Sequence, residues 1–351
     1  ALQILNRATK LQPKDPVLLH QKAQSLLVQD KPSEAYKPLQ QAIKLDPDNT
    51  QIRANMIFCL RKLGQYELVE RVCRTFVDED LINSPLGDLM SDTYFALGHD
   101  DKAWDLLSCL DTHEPGQALA FKNVDRWSLR ALSYLRQSTD LPLEVNVPKD
   151  EIPALRPLLP ENIALRALLE GETGSSGRAF LKAVRPKRSN ASADIITPLD
   201  RSAVVGVALM SAEPNGLAWY DNSIESDNMM DAILAVFNPA FYIGPKRETL
   251  ETATCTWHGH ESFSLTRLIS IIETSDLLVT NDNLVGHVAG FMGHPTIWLL
   301  DTLRDGFWGR REGTENFYTN AFSLIRQHEE SWANVIKRVP RNLRENAGGE
   351  G

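Results

Sequence analysis

The segment from Ser275 to Leu300, SDLLVTNDNLVGHVAGFMGHPTIWLL, constrains the fold more than any other stretch of the chain. An apolar run, Leu277 to Thr280, stops abruptly at Asn281, Asp282 and Asn283, as a buried strand does where it enters a turn. Leu284, Val285, Val288, Ala289 and Met292 then recur at helical spacing. Asp282 or Asn283 serves as the N-cap, and Gly293 followed by Pro295 as the stop. Thr296 to Leu300 reads as the next strand. Strand, polar turn, helix and strand in that order is the grammar of a parallel sheet. In such a sheet ligands sit at the carboxyl end of a strand, where the first amides of the next helix face outward with the positive end of its dipole. A phosphate fits there. Asp282 repels phosphate as a bare charge, so it reads as a cap or as the holder of a sugar or ribose hydroxyl, and His287 looks back from one turn into the helix. The competing reading from spacing alone is an ordinary half-buried histidine beside a plain N-cap.

The same grammar extends upstream. Ala203 to Met210, AVVGVALM, is the first clear buried strand; Ser211 to Asn228 is a loop carrying Trp219 and Tyr220; Met229 to Phe237 is a helix and Phe241 to Gly244 a strand. Residues 203–300 therefore predict a doubly wound α/β layout. Before it, prolines at 142, 148, 153, 157 and 160 mark a connector, followed by a helix at Glu161 to Leu169. GETGSSG at 171–177 lacks the Lys-Ser/Thr ending and the preceding strand of a phosphate loop, so it reads as a turn. Phe180 to Val184 is a short helical piece, and the basic Arg185 to Arg188 opens a solvated polar loop.

The amino-terminal third follows a different rule. Pro13 and Pro47 close the similar phrases ATKLQPKDP and AIKLDPDNT at a period of 34 residues. In this frame Ala23 sits where the two helices of a repeat cross, Ala35 and Ala42 line the second helix, Leu60 and Gly64 fall in register, and Tyr94, Gly98, Ala103 and Pro115 follow. On these residues the stretch resembles the tetratricopeptide repeat family. The expected array covers 1–137: a half repeat at 1–15, full repeats at 16–49, 50–83 and 84–117, and a capping stretch at 118–137 whose helix, Asn123 to Gln137, has Trp127 and Tyr134 as core contacts. The second full repeat departs from the pattern at Val69, Cys73 and Phe76. Such helix pairs stack into an α-solenoid with a groove that takes a peptide or protein, or they act as a spacer. Asn55, Arg61 and Lys62 are the groove candidates, with solvent-facing charge as their other reading.

The run VTNDNLVGHVAGFMGHP resembles the signature of the heptosyltransferase-like glycosyltransferases, family nine. Val279, Thr280, Asn281, Asp282, His287, Ala289, Gly293 and Pro295 match it as they stand. The likeness continues through Asp305 and Trp308, Phe317 and Tyr318, Leu324 to Gln327, Trp332 and Val335 to Val339, as in the versions that bacteria fuse to repeat arrays. Asn283 stands where that family has a hydroxyl residue, and Leu284 where it has glycine. The resemblance implies that 203–340 is the carboxyl-terminal, nucleotide-sugar-binding half of a GT-B fold, with 138–202 a linker or reduced amino-terminal half and 341–351 a tail. It implies a donor and phosphate site of Asn281, Asp282, Asn283, Leu284, His287, Asp305 and Trp308. His258 and His260, just before the helix that leads to the signature strand, are secondary candidates. It names no catalytic base. The co-substrate it implies is a nucleotide-diphosphate sugar, without metal or other cofactor.

Composition narrows the partners. With 42% hydrophobic and 24% charged residues the chain is an ordinary globular one, and its net charge of -9 argues against nucleic acid or an anionic membrane. No apolar run approaches the roughly 18 residues of a membrane helix, and no signal peptide opens the sequence, so a cytoplasmic protein is expected. The sequence begins inside a repeat, which leaves room for a targeting segment upstream. Cys255, His258 and His260 lack the second ligand pair of a structural zinc site, and Cys59, Cys73 and Cys109 show no ligand spacing. Two functions stay open: a glycosyltransferase whose repeats recruit a protein acceptor, and a non-catalytic adaptor that retains the glycosyltransferase-like domain as a scaffold. A purely structural repeat protein is a third and weaker reading.

Overall fold

The structure, a computed structural model, describes residues 2–73, 85–107, 109, 112–115, 117–137, 143–172, 174–186, 189–190, 203–210, 226–245, 255–259, 263–302, 306–308, 312–313, 315–316, 318–327 and 329–339. It divides into two compact units. One comprises Ala1–Ser108 with 302–310 and 327–329; the other comprises Cys109–Asp301, Arg311–Arg326 and Glu330–Gly351.

The first unit is helical: α1 (Leu2–Leu11), α2 (Pro16–Val28), α3 (Pro32–Leu45), α4 (Thr50–Lys62), α5 (Tyr66–Cys73), α6 (Pro85–Leu97) and α7 (Asp100–Leu106). Each helix packs on the next, and α4 also touches α2 and α6. The 34-residue spacing of the sequence returns as backbone geometry. Asp15 and Asn49 cap α2 and α4 through side-chain acceptors, and the turns after α2, α4 and α6 carry positive φ at Asp30, Gly64 and Gly98 (55°, 69° and 77°). Positive φ favours glycine, and an aspartate tolerates it better than most residues. Ala23 in α2 and Ala35 and Ala42 in α3 are fully buried.

The groove candidates behave differently from either expectation. Asn55 is buried and lies 2.6 Å from the His20 ring nitrogen, tying α4 to α2, while buried Arg61 donates to Asp92 at 3.3 Å, tying α4 to α6; Lys62 pairs with Asp30. Buried polar groups need partners, and for Asn55 and Arg61 the partners are on the neighbouring helices. The segment 302–310 is built into this unit: Phe307 packs 5.0 Å from Phe95 and 5.4 Å from Trp104, and the Tyr66 hydroxyl donates to the Thr302 carbonyl.

The second unit holds two parallel sheets. The smaller has strands β1 (Leu119–Ala120), β2 (Leu143–Val147) and β3 (Ile163–Ala167) in that order, with helices α8 (Arg126–Gln137), α9 (Ile152–Leu155) and α10 (Gly177–Val184) along the same stretch. The helix expected at 123–137 is thus α8, the crossover from β1 to β2. The helix expected at 161–169 is instead β3. Its residues IALRA include good helix formers, but pairing with β2 overrides propensity and Ile163 is buried beneath an alternating pattern. A two-residue ladder joins β4 (Ser189–Asn190) to β10 (Glu315–Asn316).

The larger sheet comprises β5 (Val205–Ala208), β6 (Pro239–Ile243), β7 (Thr256–Trp257), β8 (Leu277–Asn281), β9 (Thr296–Leu300) and β11 (Ala321–Ile325), in the all-parallel order β11-β9-β8-β5-β6-β7. Helix α11 (Ser226–Leu234) leads outward from β5, and α13 (Leu284–Met292) leads the other way from β8; α12 (Leu265–Ile272) returns the chain across the sheet and α14 (Trp332–Ile336) follows β11. With right-handed crossovers the two directions put helices on opposite faces, and indeed α11 packs with α14 and α12 with α13. Strands β5, β8 and β9 are buried along their whole length, as a sheet covered on both faces requires. Strand order reverses between β5 and β8. The carboxyl ends of those two strands are the topological switch point.

Candidate functional site

The switch point is cross-linked by the side chains of the turn. The Thr280 hydroxyl donates to the Ala208 carbonyl at 2.9 Å. The Asn281 amide donates to the Met210 carbonyl at 2.8 Å and accepts from its N–H at 3.2 Å. Asn283 donates to the Ala208 carbonyl, the Thr280 hydroxyl and the Asn281 side-chain oxygen, the last at 2.6 Å. Asn281 and Asn283 are 5% and 3% exposed, and both side chains hold β8 to β5.

Asn283 is also the N-cap of α13, with extended backbone (φ -145°, ψ 170°) and its oxygen accepting from the Gly286 N–H at 3.0 Å. Asparagine replaces a capping hydroxyl without loss, being as good a cap. The first intrahelical bond runs from His287 N–H to the Asn283 carbonyl, so the amides of Leu284 and Val285 precede the helical ladder. Leu284 is half-buried at this edge.

Behind the turn, His287 is buried with Nδ1 2.8 Å from the Tyr318 hydroxyl and Nε2 3.1 Å from Asp282 Oδ1. A carboxylate only accepts, which favours the proton on Nε2, and Nδ1 then accepts from Tyr318. Burial is the main cause holding the His287 pKa below its usual value; hydrogen bonding to Asp282 opposes it, and Arg130 and Arg126 add to it. The imidazole is therefore neutral at pH 7 and orients Asp282, which is 14% exposed at the turn. Close packing fixes the helix here. A Cβ on Gly286 would come within 2.6 Å of the Trp298 ring, and one on Gly290 within 2.6 Å of Tyr318, whose ring stacks on Trp298 at 2°.

The remaining candidates fall elsewhere. Trp308 is 2% exposed and belongs to the helical unit. Asp305 and His260 lie outside the described residues. The His258 ring meets Phe241 edge-on at 5.9 Å, and its pKa is lowered first by burial and then by Arg267. Glu151 went unread in the sequence. It sits just past the carboxyl end of β2 and accepts from the Leu265 amide at the start of α12, while burial and neighbouring Asp150 raise its pKa. Among the described residues no cluster of His, Cys, Asp or Glu has the makings of a metal site. The free thiols Cys59 and Cys73 are buried, with pKa pushed up to about 12 first by burial. In the helical unit a groove of about 640 Å³ runs between α1, α2 and α3, with Lys10, Lys22 and Lys37 on its walls and Leu19 and Leu26 on its floor.

Fold and site together define a helical amino-terminal part joined to a parallel-sheet α/β domain with a polar turn at its switch point. No protein-family model matches the chain, and no curated protein matches it either. Among solved structures, a mutant of the O-GlcNAc transferase of Thermobaculum terrenum aligns with 87% of this chain and 79% of its own, at 13% identity and a TM-score of 0.27. At that score the alignment carries no argument. No described helix is long and apolar enough to cross a membrane.

Proposed function

We propose that the chain is a glycosyltransferase of GT-B type that uses a nucleotide-diphosphate sugar, with its helices forming a tetratricopeptide-type array that recruits a protein acceptor. The observation that carries this reading is the turn at the β5–β8 switch point. Asp282 is partly exposed at the turn, steadied by neutral His287, one residue before the N-cap of α13. In this reading those amides meet the diphosphate, whose negative charge grows as the glycosidic bond breaks, and Asp282 accepts from a sugar or ribose hydroxyl. His287 positions Asp282, and the smaller sheet is what remains of the amino-terminal half.

The second reading, a non-catalytic adaptor, is favoured by one observation: the Asn283 oxygen occupies the Gly286 amide, leaving fewer first-turn donors for phosphate. Calorimetric titration with nucleoside diphosphates and their sugars, on the wild-type chain and on Asp282→Ala, separates the two. Micromolar binding of one nucleotide sugar, weakened in the variant, is expected for the transferase. Absence of binding to every member of the panel contradicts a donor site and leaves the adaptor.

A further inference from the structure

The helical unit keeps a groove whose charge is opposite to that of the chain. About 640 Å³ of open volume lies over α2, with α1 and α3 as its walls. Short turns make successive helices antiparallel, so the carboxyl end of α1, the amino end of α2 and the carboxyl end of α3 share one end of the groove. Lys10 stands at that end and Lys22 and Lys37 near the middle, while Leu2, Leu26 and Glu34 lie toward the other. Glu34 already faces Lys31 at 3.8 Å. Among the described residues Lys10, Lys22 and Lys37 have no ion-pair partner, whereas Arg53, Arg61 and Lys62 of the same unit each meet an aspartate. Three unpaired ammonium groups around one concavity, in a chain of net charge -9, concentrate a positive potential there.

The groove uses its own face of α2. Leu19, Lys22 and Leu26 reach it at helical spacing, while His20 turns to Asn55 of α4. Its length selects the class of partner. Residues 33–41 of α3 rise about 12 Å, the span of about four extended residues. A recess of that size takes a short peptide segment, and the acidity of the whole chain disfavours a bilayer or a nucleic acid. We propose that this groove binds an acidic segment of a partner protein, with carboxylates over Lys10, Lys22 and Lys37 and an aliphatic side chain toward Leu2 and Leu26. The inference rests on the recruiting role proposed for the helices, whose chemistry it names, and is independent of the donor site.

The test is fluorescence anisotropy on the full chain with three labelled hexapeptides, in which leucine alternates with aspartate, asparagine or lysine. Lys10→Glu/Lys37→Glu alters two exposed positions on the groove, and Lys14→Glu/Lys44→Glu makes the same change of charge at two exposed positions off it. Lys10→Gln/Lys37→Gln removes the charge without reversing it, and circular dichroism melting confirms that each variant folds. An exposed ion pair is worth up to about fivefold in affinity, so the glutamine pair should weaken binding of the aspartate peptide roughly tenfold and the glutamate pair further. The aspartate peptide should bind about tenfold more tightly than the asparagine peptide, the lysine peptide least, and added salt should weaken the first. The off-groove pair should stay within about twofold of the wild type. Equal losses in the two glutamate pairs overturn the groove, because the charge of the whole chain then governs binding. An asparagine peptide bound as tightly as the aspartate peptide overturns the acidic partner and leaves recruitment by the helices. A wild-type chain that binds none of the three overturns the groove and the recruiting role together.

Discussion

The two parallel sheets of the second unit follow the same rule and differ in how far local sequence enforces it. In the larger sheet, β8 and β9 are five residues each and buried throughout, and helices cover both faces. In the smaller sheet β1 is two residues long, and β3 alternates between buried and open positions. The first kind of strand announces itself as an apolar run; the second exists because neighbours complete it. The larger sheet carries a turn in which the Asn281 and Asn283 side chains hold β8 to β5.

That contrast can be broken most sharply at the glycines of α13. Gly286→Val drives a side chain into Trp298 and Thr280, which should cost about 3 kcal/mol or more in urea denaturation; a loss under about 1 kcal/mol would show that the helix can shift away from the aromatic pair. Next in size is acid. His294, whose Nε2 lies 3.2 Å from the Ser275 hydroxyl, has its pKa lowered by burial from 6.5 to about 4. The unfolded chain binds this proton below pH 6.5 and the folded one only near pH 4. Stability therefore falls as pH drops through that window, by on the order of 2 kcal/mol after allowing for partial exposure, and changes no further from this group above 6.5. His294→Gln should flatten that part of the curve of melting temperature against pH.

Identical substitutions then compare the sheets directly. Val279→Ala in β8 should cost ~2 kcal/mol, and Val145→Ala in β2 ~1 kcal/mol, although both valines are fully buried, because the smaller sheet has more room to relax. Equal losses by chemical denaturation would mean that the smaller sheet is packed as tightly as the larger. Smallest is the cap. Asn283→Ser keeps an acceptor for Gly286 but drops the bonds to Ala208 and Asn281, and should lower the melting point by only a few degrees, for a cost of about 1 kcal/mol.

These differences also explain what could be read in advance. The strands at 205–208, 239–243, 277–281 and 296–300 overlap the apolar runs at 203–210, 241–244, 277–280 and 296–300, and the helix between the last two shows through its period and its Gly293 stop. The positive-φ turns at 30, 64 and 98 follow a spacing printed in the sequence. By contrast, β3 is spelled in helix-forming residues, and only its pairing with β2 makes it a strand. Helix α8 reads equally well as one more helix of an array, because amphipathic spacing does not say which sheet covers it. Asn281 and Asn283 looked like ligand contacts because polar residues at a strand end are common to binding turns and to turns that merely lock two strands together.

The most direct measurement is hydrogen exchange by mass spectrometry on the chain with and without the nucleoside diphosphate that binds best in calorimetry. The account predicts slowed exchange in peptides spanning Asn283 to His287, where both the amides of the first turn and Asp282 lie close by. Binding that leaves that stretch unchanged and protects some other segment would contradict a diphosphate site at the start of α13.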